Sequence, residues 1–204
     1  MSLQRTTLKR DTDIPVIMRW IEKNARVIDL GCGRGTLLER LTAEKQVRGF
    51  GIERNPEKIP HCLERDVSVV QGDILDILRK LPDGSADWVI CSRILQELED
   101  PAEVVLQSLR VGRRLAIAFV NNGHWRNRLA MFRYGHRVRN SIYPNPWYQS
   151  SPSNPVSIRD FEEFCEHYGI AITKREYLAG DWRTPRAFMP KLLAGYGIYA
   201  LTRA

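Results

Sequence analysis

Cysteine is scarce in this 204-residue sequence. Cys32, Cys62, Cys91 and Cys165 stand far apart with no C-x-x-C pair. Such spacing argues against a structural zinc site and against a disulfide framework, and it fits a reducing cytoplasm. Long apolar runs are missing as well. The longest stretch, Leu115 to Val120, falls far short of the ~18–20 residues needed to span a membrane. Met1 to Arg10 is polar with no apolar segment behind it, so no secretion signal is expected. Carboxylates are absent from one long stretch. Residues 104–159 hold nine arginines but no lysine, aspartate or glutamate, so the net charge of +7 divides into −2 over residues 1–103 and +9 over 104–204. That excess reads either as a solubilising, ion-paired surface or as a face for an acidic partner or anionic substrate. Nucleic acid is the weakest of these partners, because RNP-type and zinc-finger signals are lacking.

What remains is a globular mixture, 43% apolar and 27% charged, of a length that suits a single domain over residues 1–204. Short apolar runs at 26–30, 47–52, 67–70, 87–91 and 114–120 read as buried strands. Segments of helical period lie between them, at 35–43, 57–65, 74–81 and 101–109. This alternation predicts an α/β fold with a parallel sheet covered on both faces. Asp13 is placed to cap a helix over 14–23, and Pro56 and Pro101 sit where a first helical turn tolerates proline. The rhythm breaks after the fifth strand. Residues 121–157 look like an insertion, with a basic amphipathic helix over 124–139 and then a proline-rich loop over 143–155, a lid, a partner contact or a plain surface excursion. Ser157 then reads as the cap of a helix over 158–168, and strands are expected at 170–177 and 197–202.

The strongest chemical signal is Val27-Ile-Asp-Leu-Gly-Cys-Gly-Arg-Gly-Thr-Leu-Leu38, a strand that enters a turn at Gly31, Gly33 and Gly35 before a helix. Glycines at this spacing let a ligand lie close to the backbone. Two details disfavour a dinucleotide such as NAD. The register is G-x-G-x-G rather than G-x-G-x-x-G, and Asp29 sets a carboxylate where a pyrophosphate would be repelled. A ligand carrying an ammonium and a sulfonium would welcome that charge. Glu53 closes the second strand and can accept ribose hydroxyls. Asp73 closes the third, placed for an adenine amino group or as a helix cap, two compatible readings. Arg54, Ile74 and Ser92 complete the expected lining of one carboxyl edge, where open α/β sheets bind ligands.

Together these residues resemble the class I S-adenosylmethionine-dependent methyltransferases. The resemblance implies a three-layer Rossmann-like fold whose seven-stranded sheet is mostly parallel with an antiparallel last strand. It also implies S-adenosylmethionine as cofactor and S-adenosylhomocysteine as product. A narrower likeness covers about residues 13–203. Residues 45–53, Ser92-Arg-Ile-Leu-Gln96, Arg110-Val-Gly112, Gly123-His-Trp-Arg126, Trp147-Tyr148 and Arg159-Asp-Phe-Glu162 resemble the methionine biosynthesis protein MetW family. That family is associated with homoserine O-acetyltransferase, which implies either a methyltransferase of unassigned acceptor or a non-catalytic accessory partner. No catalytic residue is assigned. His124 is the best-placed base, or else a structural histidine, and Trp125 and Arg126 beside it are substrate or partner candidates. Cys32 reads as a small packing residue. Asn145-Pro-Trp-Tyr148 lies after the wrong strand to be the N-P-P-Y element of amide and adenine methyltransferases. No metal site is expected.

Overall fold

The computed structural model describes residues 12–135 and 154–203. Helix α1 spans Ile14–Trp20, and strand β1 spans Arg26–Leu30. Then come α2 (Thr36–Lys45), β2 (Arg48–Glu53), a 3-10 turn (Pro56–Lys58), α3 (Ile59–Leu63) and β3 (Val69–Gln71). They are followed by α4 (Ile74–Lys80), β4 (Ala86–Ser92), a second 3-10 turn (Leu95–Glu97), α5 (Pro101–Val111) and β5 (Gly112–Val120). Helices α6 (Trp125–Tyr134) and α7 (Ile158–His167) precede β6 (Ile170–Ala179), α8 (Pro190–Leu193) and β7 (Ala194–Arg203).

The sheet order is β3-β2-β1-β4-β5-β7-β6. β1 to β5 pair in parallel, and β7 is antiparallel to both β5 and β6. This is the expected three-layer, Rossmann-like arrangement with its antiparallel last strand. The period-two alternation of each strand divides the core in two. Val27, Trp88, Ile90, Ala116, Ala118 and Ile198 face the layer that holds α1 and α2. Ile28, Leu30, Val89, Leu115, Ile117 and Phe119 face the layer that holds α4, α5 and α7. Strands buried on both faces need near-continuous apolar sequence, which is why these segments stand out in the chain.

Helix starts follow local chemistry. Asp73 accepts from the amides of Leu75 and Asp76 at 2.8 and 3.3 Å. Ser157 and Asp160 form a reciprocal capping box at α7. Each such cap contributes about 1 kcal/mol. Asp13 departs from its expected role. It sits at the N-cap position of α1 but makes no side-chain cap, because its carboxylate turns into the protein. Helix α1 also stops at Trp20, three residues earlier than expected, where Ile21 becomes extended. The basic helix ends at Gly135, whose left-handed conformation caps α6. Residues 136–139 and all but the last two residues of the proline-rich loop lie outside the described residues.

Candidate functional site

Parallel strands bring their carboxyl ends to one edge, so the turns after β1 to β5 are neighbours. Register makes this concrete: Asp29 lies opposite both Gly51 and Ile90, Glu53 opposite Gln71, and Ser92 opposite Ala118. The glycine turn after β1 is left-handed at Gly31, Gly33 and Gly35. At Gly31 an added Cβ would meet Ile94 at 2.8 Å, whereas at Gly33 nothing lies within 4 Å. The turn is therefore unobstructed at Gly33 among the described residues, where a Cβ would meet open space.

Two carboxylates border this turn. Glu53 is buried and accepts from the amides of Gly33 at 3.0 Å and Asn55 at 2.8 Å. Exposed Lys58 adds an ion pair at 3.2 Å. These donors hold Glu53 in place while one lone pair of Oε1 stays free for a further donor. Asp29 is only 4% exposed. Burial, and then the neighbouring charge of Asp13, push its carboxyl up to about 8, against the opposing pull of Arg93. A carboxyl so placed is short of a cation.

Sequence reasoning missed what lies behind Asp29. Fully buried Asp13 accepts through Oδ2 from the Ser92 hydroxyl and from the Tyr196 hydroxyl. Among the described residues its Oδ1 has no hydrogen bond, and it lies 3.6 Å from Nε of Arg93. Arg93 itself has φ 63, a left-handed conformation that costs a non-glycine residue about 1–2 kcal/mol. Its amide donates to the Ala118 carbonyl at 2.8 Å, which fixes the turn after β4. Nε2 of Gln96, buried one turn later, also lacks a partner among the described residues. An acid so remote in sequence from its partners leaves no local signal.

The other expected residues fall at the same edge with different surroundings. Arg54 is exposed just past β2, and Asp73 is exposed with its carboxylate engaged as a helix cap. Ile74 is half-buried and packs on the second core. Burial raises the Cys32 thiol, and Cys62 donates to the Gly33 carbonyl at 3.3 Å, so neither is an activated nucleophile. His124 is buried at the start of α6, and burial followed by the nearby Arg126 charge holds its imidazole below the usual value. A Cβ on Gly180 would approach its Nε2 at 3.3 Å. Asn121 ties this corner together. It donates to the Ala194 carbonyl at 2.7 Å and accepts from the amides of Gly123 at 2.9 Å and Ile158 at 3.2 Å.

The nine-arginine stretch divides. Arg110, Arg114 and Arg159 pair with Asp83, Glu22 and Glu163. Arg126 and Arg133 stack on Trp125 and Tyr134, while Arg128 donates to the Gly123 carbonyl at 2.6 Å. Among the described residues, no three His, Cys, Asp or Glu side chains are grouped to hold a metal. No helix among them is long and apolar enough to cross a membrane.

Solved structures share this architecture. A SAM-dependent methyltransferase from Archaeoglobus fulgidus superposes with a TM-score of 0.69 at 19% identity, covering 97% of this chain and 94% of that one. One from Aquifex aeolicus gives 0.62 at 17% identity, covering 97% and 96%. The chain thus has the fold of S-adenosylmethionine-dependent methyltransferases. Among curated relatives, the ubiquinone biosynthesis O-methyltransferase of Ralstonia nicotianae is 35% identical over 100 residues, 45% of this chain and 42% of that protein. The bifunctional methionine biosynthesis protein MetXA/MetW of Rhodopirellula baltica is 30% identical over 119 residues, 54% of this chain and 19% of that protein. The chain spans less than half the length of either relative. A family model described as methionine biosynthesis protein MetW matches residues 11–201. With nearly the whole described chain inside that match, the protein belongs to the MetW family.

Proposed function

We propose that the protein binds S-adenosylmethionine at the carboxyl edge of β1 to β4 and transfers its methyl group to a small-molecule or protein acceptor, in a role linked to methionine biosynthesis. The observation that carries this reading is the pair of buried carboxylates, Asp29 and Glu53, beside a left-handed glycine turn in which a Cβ on Gly33 would meet nothing within 4 Å. The residues fit the group chemically. Asp29 offers a carboxylate to an ammonium, Glu53 keeps a lone pair for a ribose hydroxyl, and the Gly31–Gly35 backbone admits close approach. Asp73 and Ile74 would border the adenine, with Arg54 and Ser92 at the flanks. When bound, the cofactor supplies an electrophilic methyl group and leaves as S-adenosylhomocysteine. The protein's contribution is to hold the methyl donor and acceptor in line and to exclude water. Among the described residues His124, just past β5 and held below its ordinary value by burial and Arg126, is the best-placed candidate base for taking a proton from the acceptor, or else a structural histidine.

A second reading rests on a different observation, the bifunctional relative whose name joins MetXA with MetW. On that reading the chain is a non-catalytic partner of homoserine O-acetyltransferase, a cytoplasmic assembly, and its cofactor site senses the end product of the pathway. One experiment separates the two. The purified protein is incubated with methyl-labelled S-adenosylmethionine and small-molecule extract, and separately with homoserine O-acetyltransferase. Label appearing in a small molecule or in the acetyltransferase supports methyl transfer. A change in acetyltransferase rate on adding S-adenosylmethionine, with no label transferred, supports the accessory role.

A further inference from the structure

Helix α6 is built inside out. Its ten residues include none that is buried, and its half-buried positions are Asn127 and Ala130. Trp125, Leu129 and Phe132 recur at i, i+4 and i+7, so they form one stripe along the helix. Their exposures are 40%, 51% and 91%. The half-buried positions are thus small and polar, while every large apolar side chain of the helix stands exposed, Met131 and Tyr134 of the last turn at 50% and 64% included. A stripe of this kind marks an interaction site, whereas single exposed apolar residues do not.

The charges bordering it name the kind of partner. By helical spacing Arg126 and Arg133 lie along one side of the stripe and Arg128 along the other. Among the described residues these three meet aromatic rings or a backbone carbonyl rather than a carboxylate, and residues 104–159 contain no acid at all. Two copies of this face would repel each other. A covering surface must bring its own carboxylates around an apolar groove.

We infer that the Trp125–Leu129–Phe132 stripe of α6 is a docking ridge for a protein partner that presents an apolar groove rimmed by carboxylates. The choice of a protein rests on the MetXA/MetW relative, in which such a unit shares one polypeptide with a second one, and so on the partner named under the accessory reading. The ridge leaves the carboxyl end of β5, the edge that holds the glycine turn. The start of α6 packs against Gly180, on the β6–β7 connection that also exposes Phe188 and Met189. A partner seated there would border the cofactor edge without entering it.

The test uses the whole chain and purified homoserine O-acetyltransferase from the same genome as the probe, with binding followed in real time at low and high salt. Phe132→Asp should speed dissociation about tenfold or more, because it puts a charge into the apolar groove. The Arg126→Glu/Arg133→Glu pair should slow association about tenfold and flatten its salt dependence. Affinity for S-adenosylhomocysteine, measured on the same samples, should change less than about twofold in either variant. Failure of the wild-type chain to bind the acetyltransferase would overturn the inference, and so would unchanged rates in both variants. Three other outcomes also overturn it. They are a concentration-dependent dimer abolished by Phe132→Asp, sedimentation with anionic vesicles lost in the same variant, and a lowered melting temperature of that variant alone. Loss of S-adenosylhomocysteine binding by the wild type would defeat the cofactor reading and leave the docking result standing.

Discussion

Asp29→Asn should stabilise the ligand-free protein and at the same time weaken its cofactor site. In the unfolded chain an aspartate titrates near ~3.9, while in the folded protein burial and Asp13 push Asp29 up to about 8. Between those values the folded form holds a proton that the unfolded form has lost. Stability from this group is therefore greatest in acid and falls as pH rises towards 8. Each pH unit inside the window costs about 1.4 kcal/mol. From about pH 5 to pH 8 the wild type should thus lose about 4 kcal/mol relative to the Asp29→Asn variant, whose amide does not titrate. Urea unfolding of both proteins at closely spaced pH values measures this difference directly, and any constant offset from the substitution cancels. Binding should show the opposite trend. A ligand ammonium stabilises ionised Asp29, so wild-type affinity for S-adenosylhomocysteine should tighten about tenfold per pH unit between roughly pH 6 and 7.5, and that of the variant should stay flat. Parallel stability curves for the two proteins would mean that Asp29 ionises as freely as a surface acid and that its burial has no such effect.

Asp13→Asn should lower the upper end of that pH window and leave its lower end in place, since the Asp13 charge is the second cause of the raised Asp29; an upper end that stays put in the same urea series would mean that Asp13 does not act on Asp29. Gly33→Leu should abolish S-adenosylhomocysteine binding in calorimetry while leaving the far-ultraviolet spectrum intact, because the side chain fills the open space above a left-handed turn. Asn121→Ala should cost about 2–4 kcal/mol in chemical unfolding, because it strands the Ala194 carbonyl and two amides at a buried corner; a loss below about 0.5 kcal/mol would mean that this corner repairs itself.

Much of the fold was legible because strands buried on both faces must be apolar almost throughout. The run Arg114 to Val120 could be read directly as part of β5 for that reason. The carboxylates of Asp29, Glu53 and Asp73 were legible as a set because each lies at or just past the end of a successive parallel strand. Asp13 was misread because position before a helix and a capping side chain are separate facts. The local rule says cap, whereas contact with Ser92, Arg93 and Tyr196, drawn from elements remote in sequence, decides otherwise. β3 was expected at 67–70 but forms over Val69–Gln71, because Asp66 is left-handed and the Val67 amide bonds back to the Cys62 carbonyl. The four-residue α8 gives too little periodicity to be read at all. The arginine stretch looked uniform in sequence. Only folding sorts Arg110, Arg114 and Arg159 into ion pairs and leaves Arg126, Arg128 and Arg133 around an apolar ridge.

Calorimetric titration of the wild-type chain with S-adenosylhomocysteine and with NAD, each repeated on Asp29→Asn, decides whether the carboxyl edge of the sheet is a site for S-adenosylmethionine. Clear binding of S-adenosylhomocysteine is expected, weakened about tenfold or more by the substitution, with no comparable heat from NAD. Tighter binding of NAD, or S-adenosylhomocysteine affinity untouched by the loss of Asp29, would contradict that assignment.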